Sequence, residues 1–394
     1  MVLLLLTGCH DIAAYGPSTP AESQADSQLP DSQPPDSQPP DSQPPDSQLP
    51  DSQPPDSTVL DLAMAVDSAP AHDASSLTPD PCAAKVWPTN GTTITIQTAN
   101  AASLASTVAN AIPYTTILLA NGTYDLTSTL NFDTPGVILR GASGDQNTVT
   151  LTSSKPVEPL IRITASEVIL ADMTITVDNS VAVDIEGGSS ANTLGVRIHH
   201  VLFSDAGGRD TKGADTNQKL LDSGGAVRIS RYGTFYADDG EISCSTFELT
   251  TQGRDKLAAA CSIFGIGAFR AKGWRVHHNT FVGIRCNGLI ASPAISFASG
   301  SRDTLVENNR ILDSFVGIRF GTFQIPADAG NPRTYDYSSC GLGSYYEHVG
   351  GIIRNNVIWS ATSTPDSGVA LWLACGTKAV HNTRFSVKGW SSAA

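Results

Sequence analysis

Val306-Glu307-Asn308-Asn309-Arg310-Ile311 holds a phrase that this chain writes seven times: an aliphatic residue, a small polar residue two places on, and a large apolar residue three further. Other copies run from Leu170 through Asp172 to Ile175, from Ile198 through His200 to Phe203, and from Ile242 through Cys244 to Phe247. Val276 through His278 to Phe281, Ile353 through Asn355 to Ile358 and Val380 through Asn382 to Phe385 complete the set. A flat strand sends residues two apart to one face and residues five apart to opposite faces. Both apolar ends face one core only if the chain bends after the polar residue, where turn chemistry favours Asn, Asp and His. Repetition on this scale predicts a solenoid whose coils bury their apolar sides only against one another. The closing apolar residues fall at 175, 203, 247, 281, 311, 358 and 385, so the shortest intervals, 27 and 28, approximate one coil and the longer ones carry loops.

Outward from these phrases the chain consists of short β-branched segments separated by Gly, Asn, Asp and Ser, a pattern of many short strands. Thr93-Ile94-Thr95-Ile96, Thr116-Ile117-Leu118-Leu119, Val137-Ile138-Leu139, Val168-Ile169-Leu170 and Val181-Ala182-Val183-Asp184-Ile185 are examples. One stretch stands apart. With Asn100 as cap, Leu104, Val108 and Ile112 recur at i, i+4 and i+8, which predicts an amphipathic helix to Ala111. A helix there suits a cap over the first coil, whose bare strand edge invites aggregation.

The run from Ala101 through Ile117-Leu118-Leu119-Ala120-Asn121-Gly122-Thr123-Tyr124, followed by Gly136-Val137-Ile138-Leu139-Arg140-Gly141-Ala142, resembles the opening of right-handed parallel β-helix proteins of the pectate-lyase-like superfamily. The later Asn-Asn phrases resemble the inward asparagine ladders of such helices. The resemblance covers roughly 90–385 and implies an all-β, right-handed parallel β-helix with a short N-terminal capping helix. It implies a fold more than an activity, since that superfamily includes lyases, hydrolases, esterases, epimerases and non-enzymatic adhesins.

The net charge of −14 belongs to the N-terminal part. Residues 1–84 carry 13 Asp and Glu and no Lys or Arg, whereas 24 basic and 25 acidic residues follow from Lys85 onward. A near-neutral body without a basic cluster argues against a nucleic-acid partner. Within the acidic part, Asp26-Ser27-Gln28-Leu29-Pro30 opens six consecutive Asp-Ser-Gln-(Leu/Pro)-Pro units ending at Pro55. Proline fixes φ and removes a donor, and the recurring carboxylates repel, so this segment predicts an extended, disordered spacer. Before it, Leu6-Thr7-Gly8-Cys9 resembles the bacterial lipobox, although the apolar stretch is short and lacks a positive n-region. That resemblance implies lipidation of Cys9, and a mis-assigned start codon would explain the short apolar stretch. The expected organisation is therefore a signal segment over 1–9, a linker over 10–81 and a β-helix domain over 82–394. The whole is expected at the cell envelope or secreted, monomeric, and touching membrane only through its lipid. A coil begun at Val380 and followed by a small polar tail also leaves a C-terminal truncation open.

With Cys9 lipidated, six cysteines remain: Cys82, Cys244, Cys261, Cys286, Cys340 and Cys375. An even number outside the cytoplasm suits disulfides, and sequence does not choose among the pairings. Cys244, in the polar slot of the repeat, also reads as a small buried side chain.

Loops grafted on coils are where chemistry is expected. Residues 204–225 carry Asp205, Arg209, Asp210, Lys212, Asp215, Lys219 and Asp222, with Arg228 and Arg231 just beyond. A lyase reading gives calcium to Asp205, Asp215 and Asp222 and proton abstraction to Lys219 or Arg228; the plain reading is a solvated loop. Residues 322–348 carry Tyr335, Tyr337, Tyr345, Tyr346 and His348, either as stacking faces for sugar rings or as a satellite core around Cys340. His199-His200 and His277-His278 suggest metal, but the repeat phase puts His200 and His278 in the slot of Asn308 and Asn355, with His199 and His277 on the outer surface. Asp172, Asp205, Asp238 and Asp239 are the acids open to an inverting hydrolase, without the Gly-His-Gly or Arg-x-Lys phrase of that family. The leading expectation is a non-catalytic module contacting polysaccharide or envelope glycan. A calcium-dependent lyase, or less so a glycoside hydrolase, on acidic glycans is the alternative.

Overall fold

A computed structural model describes residues 80–386 except 84, 86, 89–90, 156, 178–180, 207–223, 232, 256–262, 286–292, 322–332, 334–339, 341–345 and 361–366. Its strand pairings are parallel throughout and step from each coil to the next. The chain is a right-handed parallel β-helix, the hand that parallel crossovers adopt. Each full coil has a first wall, a sharp corner, a second wall, and after a loop a third wall. The first wall stacks Ile117, Leu139, Leu170, Ile198, Ile242, Val276, Val306 and Ile353 in consecutive rungs. All are buried at 0% exposure. The third wall stacks Leu130, Ile161 and Val183, continuing through Val227, Ile266, Ile295 and Ile318.

The corner between first and second walls explains the repeat. Asp172, His200, Cys244, His278, Asn308, Asn355 and His381 all have φ between 52 and 56°. One left-handed residue turns the chain sharply enough to bring the large apolar residue three places on back into the core. Asn, Asp and His are the non-glycine residues that tolerate it best. Phe203, Phe247 and Phe281 thus stack face to face, with centroids 4.7 and 4.6 Å apart.

The inward asparagine ladder lies one residue later than the repeat slot. Asn279, Asn309 and Asn356 are 0–1% exposed. Asn309 Oδ1 accepts from the backbone N–H and the amide of Asn279, while its own amide donates to Val276 O and to Asn356 Oδ1. Asn356 repeats this with Asn382. Earlier coils fill the ladder position with Met173 and Val201, and Ser245 joins the two regimes by donating its backbone N–H to Asn279 Oδ1. The polar slot is therefore an outward corner. The seventh copy is also out of phase: Ile353 pairs with Ala379 and Ile358 with Arg384, which leaves Val380 and Phe385 41% and 55% exposed.

At the N-terminal end a 3-10 turn, Thr98–Ser103, leads into helix α1, Leu104–Ala109. Leu104 and Val108 are buried as the periodicity requires, but Ile112 lies past the helix end and is 60% exposed.

Before the first coil, Cys82, Lys85 and Trp87 lie against the outer face of the first wall. Cys82 is bonded to Cys244 with Cα atoms 5.5 Å apart, so Cys244 is a corner cross-link and not a small core residue. Lys85 reaches Glu241 at 3.5 Å, and Trp87 covers Ile138, Ile169 and Ala171 and meets His199 edge-on at 5.4 Å. Cys340 pairs with Cys375.

Candidate functional site

The third wall alternates inward aliphatic with outward polar residues: Leu130-Asn131-Phe132-Asp133, Ile161-Arg162-Ile163-Thr164, Val183-Asp184-Ile185-Glu186, Val227-Arg228-Ile229-Ser230. Strict parallel register turns that alternation into an outward row of Asn131, Arg162, Asp184 and Arg228 on successive rungs. Further along, the row continues as Gly267, Ser296 and Arg319.

Arg228, an expected catalytic residue, is held in this row. Its Nε and a terminal nitrogen donate to the two oxygens of Asp184 at 2.8 and 2.9 Å, and both side chains are buried. A bidentate buried pair of this kind fixes two rungs together. Arg319 donates to Ser296 Oγ at 3.2 and 3.1 Å, and burial pushes its guanidinium down to about 10. Burial likewise lowers Arg270, which donates to Ser230 O and Gly233 O beside the Tyr236 ring. Arg333 covers Tyr236 at 4.3 Å and donates to Asp238.

Beside the first rungs of this wall runs an open groove of about 980 Å³, lined by Asn131, Asp133, Arg162, Thr164, Ser189, Ser190, Asn192 and Phe235 among others. The Thr164 hydroxyl donates to Asp133, Asn192 Oδ1 accepts from the Tyr236 N–H, and its amide reaches Asp238 at 3.3 Å. The lining therefore offers amide, hydroxyl, guanidinium and carboxylate groups on rungs spaced at the strand repeat of about 4.8 Å. Such a surface presents hydrogen-bond donors and acceptors in a row along the coil axis. The alternating tetrapeptides mark the third wall in the sequence, but not the groove, which the coil register assembles from separate coils.

Asp205 lies elsewhere, at the end of the second wall. Its carboxylate accepts from the Thr250 N–H at 2.7 Å and from the Thr250 hydroxyl at 2.9 Å, and that hydroxyl accepts from the Gly253 N–H. It braces the start of helix α2, Thr251–Asp255. Lys219, Asp215 and Asp222 lie outside the described residues, as do Tyr335, Tyr337, Tyr345 and Cys9. Both Asp205 oxygens are thus engaged by Thr250, and among the described residues no three His, Cys, Asp or Glu side chains form a set fit to hold a metal ion. Tyr346 is 9% exposed and donates to Cys340 O, beside the Cys340–Cys375 bond. His348 is fully buried, stacked on Phe320 at 4.0 Å, and burial depresses its imidazole to about 3.

The acids and histidines noted in the sequence fall into scaffold positions. Asp172 pairs with His200 at 3.0 Å across adjacent corners, which raises the His200 imidazole. Asp238 accepts from the Lys272 N–H and from Arg333. His199 is on the outer surface as its phase requires, yet Trp87 covers it, and burial brings it down to about 4.

No protein-family model matches the chain, and no curated protein matches it. Among solved structures it is similar to an alginate lyase from Paenibacillus sp. str. FPU-7, at 16% identity and a TM-score of 0.41, over 74% of this chain and 99% of that one. It is similar to the Dettilon tailspike protein at 12% identity and a TM-score of 0.39, over 74% and 62%. With a pectate lyase the figures are 10% identity and a TM-score of 0.34, over 77% and 82%.

Proposed function

We propose that this β-helix contacts polysaccharide as a binding or structural module, and that the groove beside the third wall seats the glycan. The observation that carries this is the groove's lining: Asn131, Asp133, Arg162 and Asn192 set polar groups along the coil axis, with Phe235 beside them. Sugar hydroxyls need donors and acceptors in quantity, and an extended chain needs them repeated. In this reading Cys9 carries a lipid and the Asp-Ser-Gln-Pro-Pro units hold the coil away from an envelope membrane.

The test is affinity electrophoresis of the purified chain through gels holding neutral or uronate-containing polysaccharides, with ultraviolet absorbance of each mixture followed with and without calcium. Retardation by one polysaccharide, lost in Arg162→Ala and Asn192→Ala, is the expected result. A rise in absorbance from unsaturated sugars would instead establish a lyase. Unretarded migration in every gel would remove the proposal.

A further inference from the structure

The corner that leads into the first wall is also left-handed. Tyr114, Gly136, Glu167, Gly195, Asp239, Gly273, Asp303, Gly350 and Gly376 occupy it with φ between 54 and 72°. Glycine meets that conformation without strain, whereas a bulky residue there costs about 1–2 kcal/mol and marks a constraint worth explaining. Tyr114 and Glu167 accept the cost on rungs that flank Gly136, and together they rim a pocket.

That pocket, about 300 Å³, is lined by Tyr114, Glu167, Arg197 and Pro88 and by the edges of Ile138 and Ile169 that Trp87 leaves uncovered, 4% and 5% exposed. Its size is at the lower end for ligand pockets, room for one ring and not for a chain. Tyr114 is 54% exposed, and a Cβ on Gly136 would come within 2.4 Å of its ring, so the ring is braced against glycine backbone and presents its remaining surface outward. The edges of two isoleucines, a braced aromatic and a rim of one cation and one anion match a pyranose, which is apolar across its C–H face and polar around its edge.

The pocket adjoins the groove. Pro135 and Ser166 line the groove, while their chain neighbours Gly136 and Glu167 line the pocket. A glycan seated in the groove meets the pocket on rounding this corner. We propose that the pocket at the leading corner of the first wall is a second saccharide subsite, taking one pyranose ring of the glycan whose body lies in the groove. This inference rests on the glycan reading of the groove.

The experiment is isothermal titration of the full chain with size-graded oligosaccharides cut from the polysaccharide that retards it, using Tyr114→Ala, Tyr114→Phe, Arg197→Ala and Arg162→Ala. Tyr114→Ala and Arg197→Ala are expected to weaken the longer oligosaccharides about tenfold and the shortest not at all, with Tyr114→Phe retaining wild-type affinity. Weakening by Arg162→Ala with none from Tyr114→Ala or Arg197→Ala at any length would overturn the subsite and leave the groove standing. Binding by no oligosaccharide would overturn both. Arg197 is exposed, so its variant reads the pocket even where Tyr114→Ala fails to fold.

Discussion

Two adjacent asparagines, Asn308 and Asn309, should respond oppositely to substitution. Asn309 is 1% exposed and takes part in four side-chain hydrogen bonds of 2.9–3.0 Å. Truncation to Ala strands the Asn279 N–H and one hydrogen of the Asn279 amide in an interior that water does not reach. An orphaned buried group costs about 1–3 kcal/mol, so Asn309→Ala should cost about 4 kcal/mol. Asn308 is the outward corner, with φ of 56°. Asn308→Gly keeps that conformation and should stay within about 0.5 kcal/mol of wild type, while Asn308→Ala should cost about 1 kcal/mol. Guanidinium unfolding by circular dichroism measures the global loss. Because solenoids unfold in sections, amide exchange at Asn279 should be read alongside it. A loss below 1 kcal/mol for Asn309→Ala, or equal losses for Asn308→Gly and Asn309→Ala, would refute the ladder as a source of stability.

Arg228→Met leaves the Asp184 carboxylate buried without its bidentate partner and should cost about 3–5 kcal/mol, with much of it restored by adding Asp184→Leu; thermal unfolding of the two variants checks this. Cys82→Ser should loosen Lys85 and Trp87 from the first wall, shift the emission of Trp87 to the red, and cost up to about 5 kcal/mol through the 162-residue separation it no longer closes; fluorescence-detected denaturation reads both. His348 and His199 are depressed by burial from 6.5 to about 3 and about 4, so the unfolded chain binds more protons than the native one across that interval. Their contribution is complete above pH 6.5 and is lost as pH falls toward 3, and His348→Phe should flatten the decline in a series of denaturation curves between pH 7 and 4.

The coil was legible because the left-handed residue between the first and second walls writes a rigid spacing into the chain. Ile198 to Phe203 and Val276 to Phe281 are the same corner read twice. The ladder was legible as chemistry but not in position, since Asn308 and Asn309 look alike until the corner's geometry separates outward from inward. The seventh phrase misled for a related reason: Val380 and Phe385 match the pattern, yet the rungs pair Ala379 and Arg384. The groove was not legible, because it depends on which residues of distant coils share a face. Arg162 and Asn192 lie in different coils, and nothing local distinguishes them from surface residues. Charge density drew attention to 204–231 instead, where Arg228 and Asp205 turn out to be engaged by Asp184 and Thr250.

The Cys82–Cys244 bond gives the molecule a mechanical load path. A pull arriving from the N-terminal side of Asp80 passes at Cys82 into Cys244, well inside the coil. Lys85, Trp87, the capping helix and the first rungs then lie on a branch that the bond bypasses. The bond withholds the 162 residues of that separation, about 570 Å of extensible contour at some 3.5 Å each, from any stretching of the chain. Force is delivered to stacked rungs, which share it through many parallel hydrogen bonds, and the edge strand Thr93–Ile96 is spared.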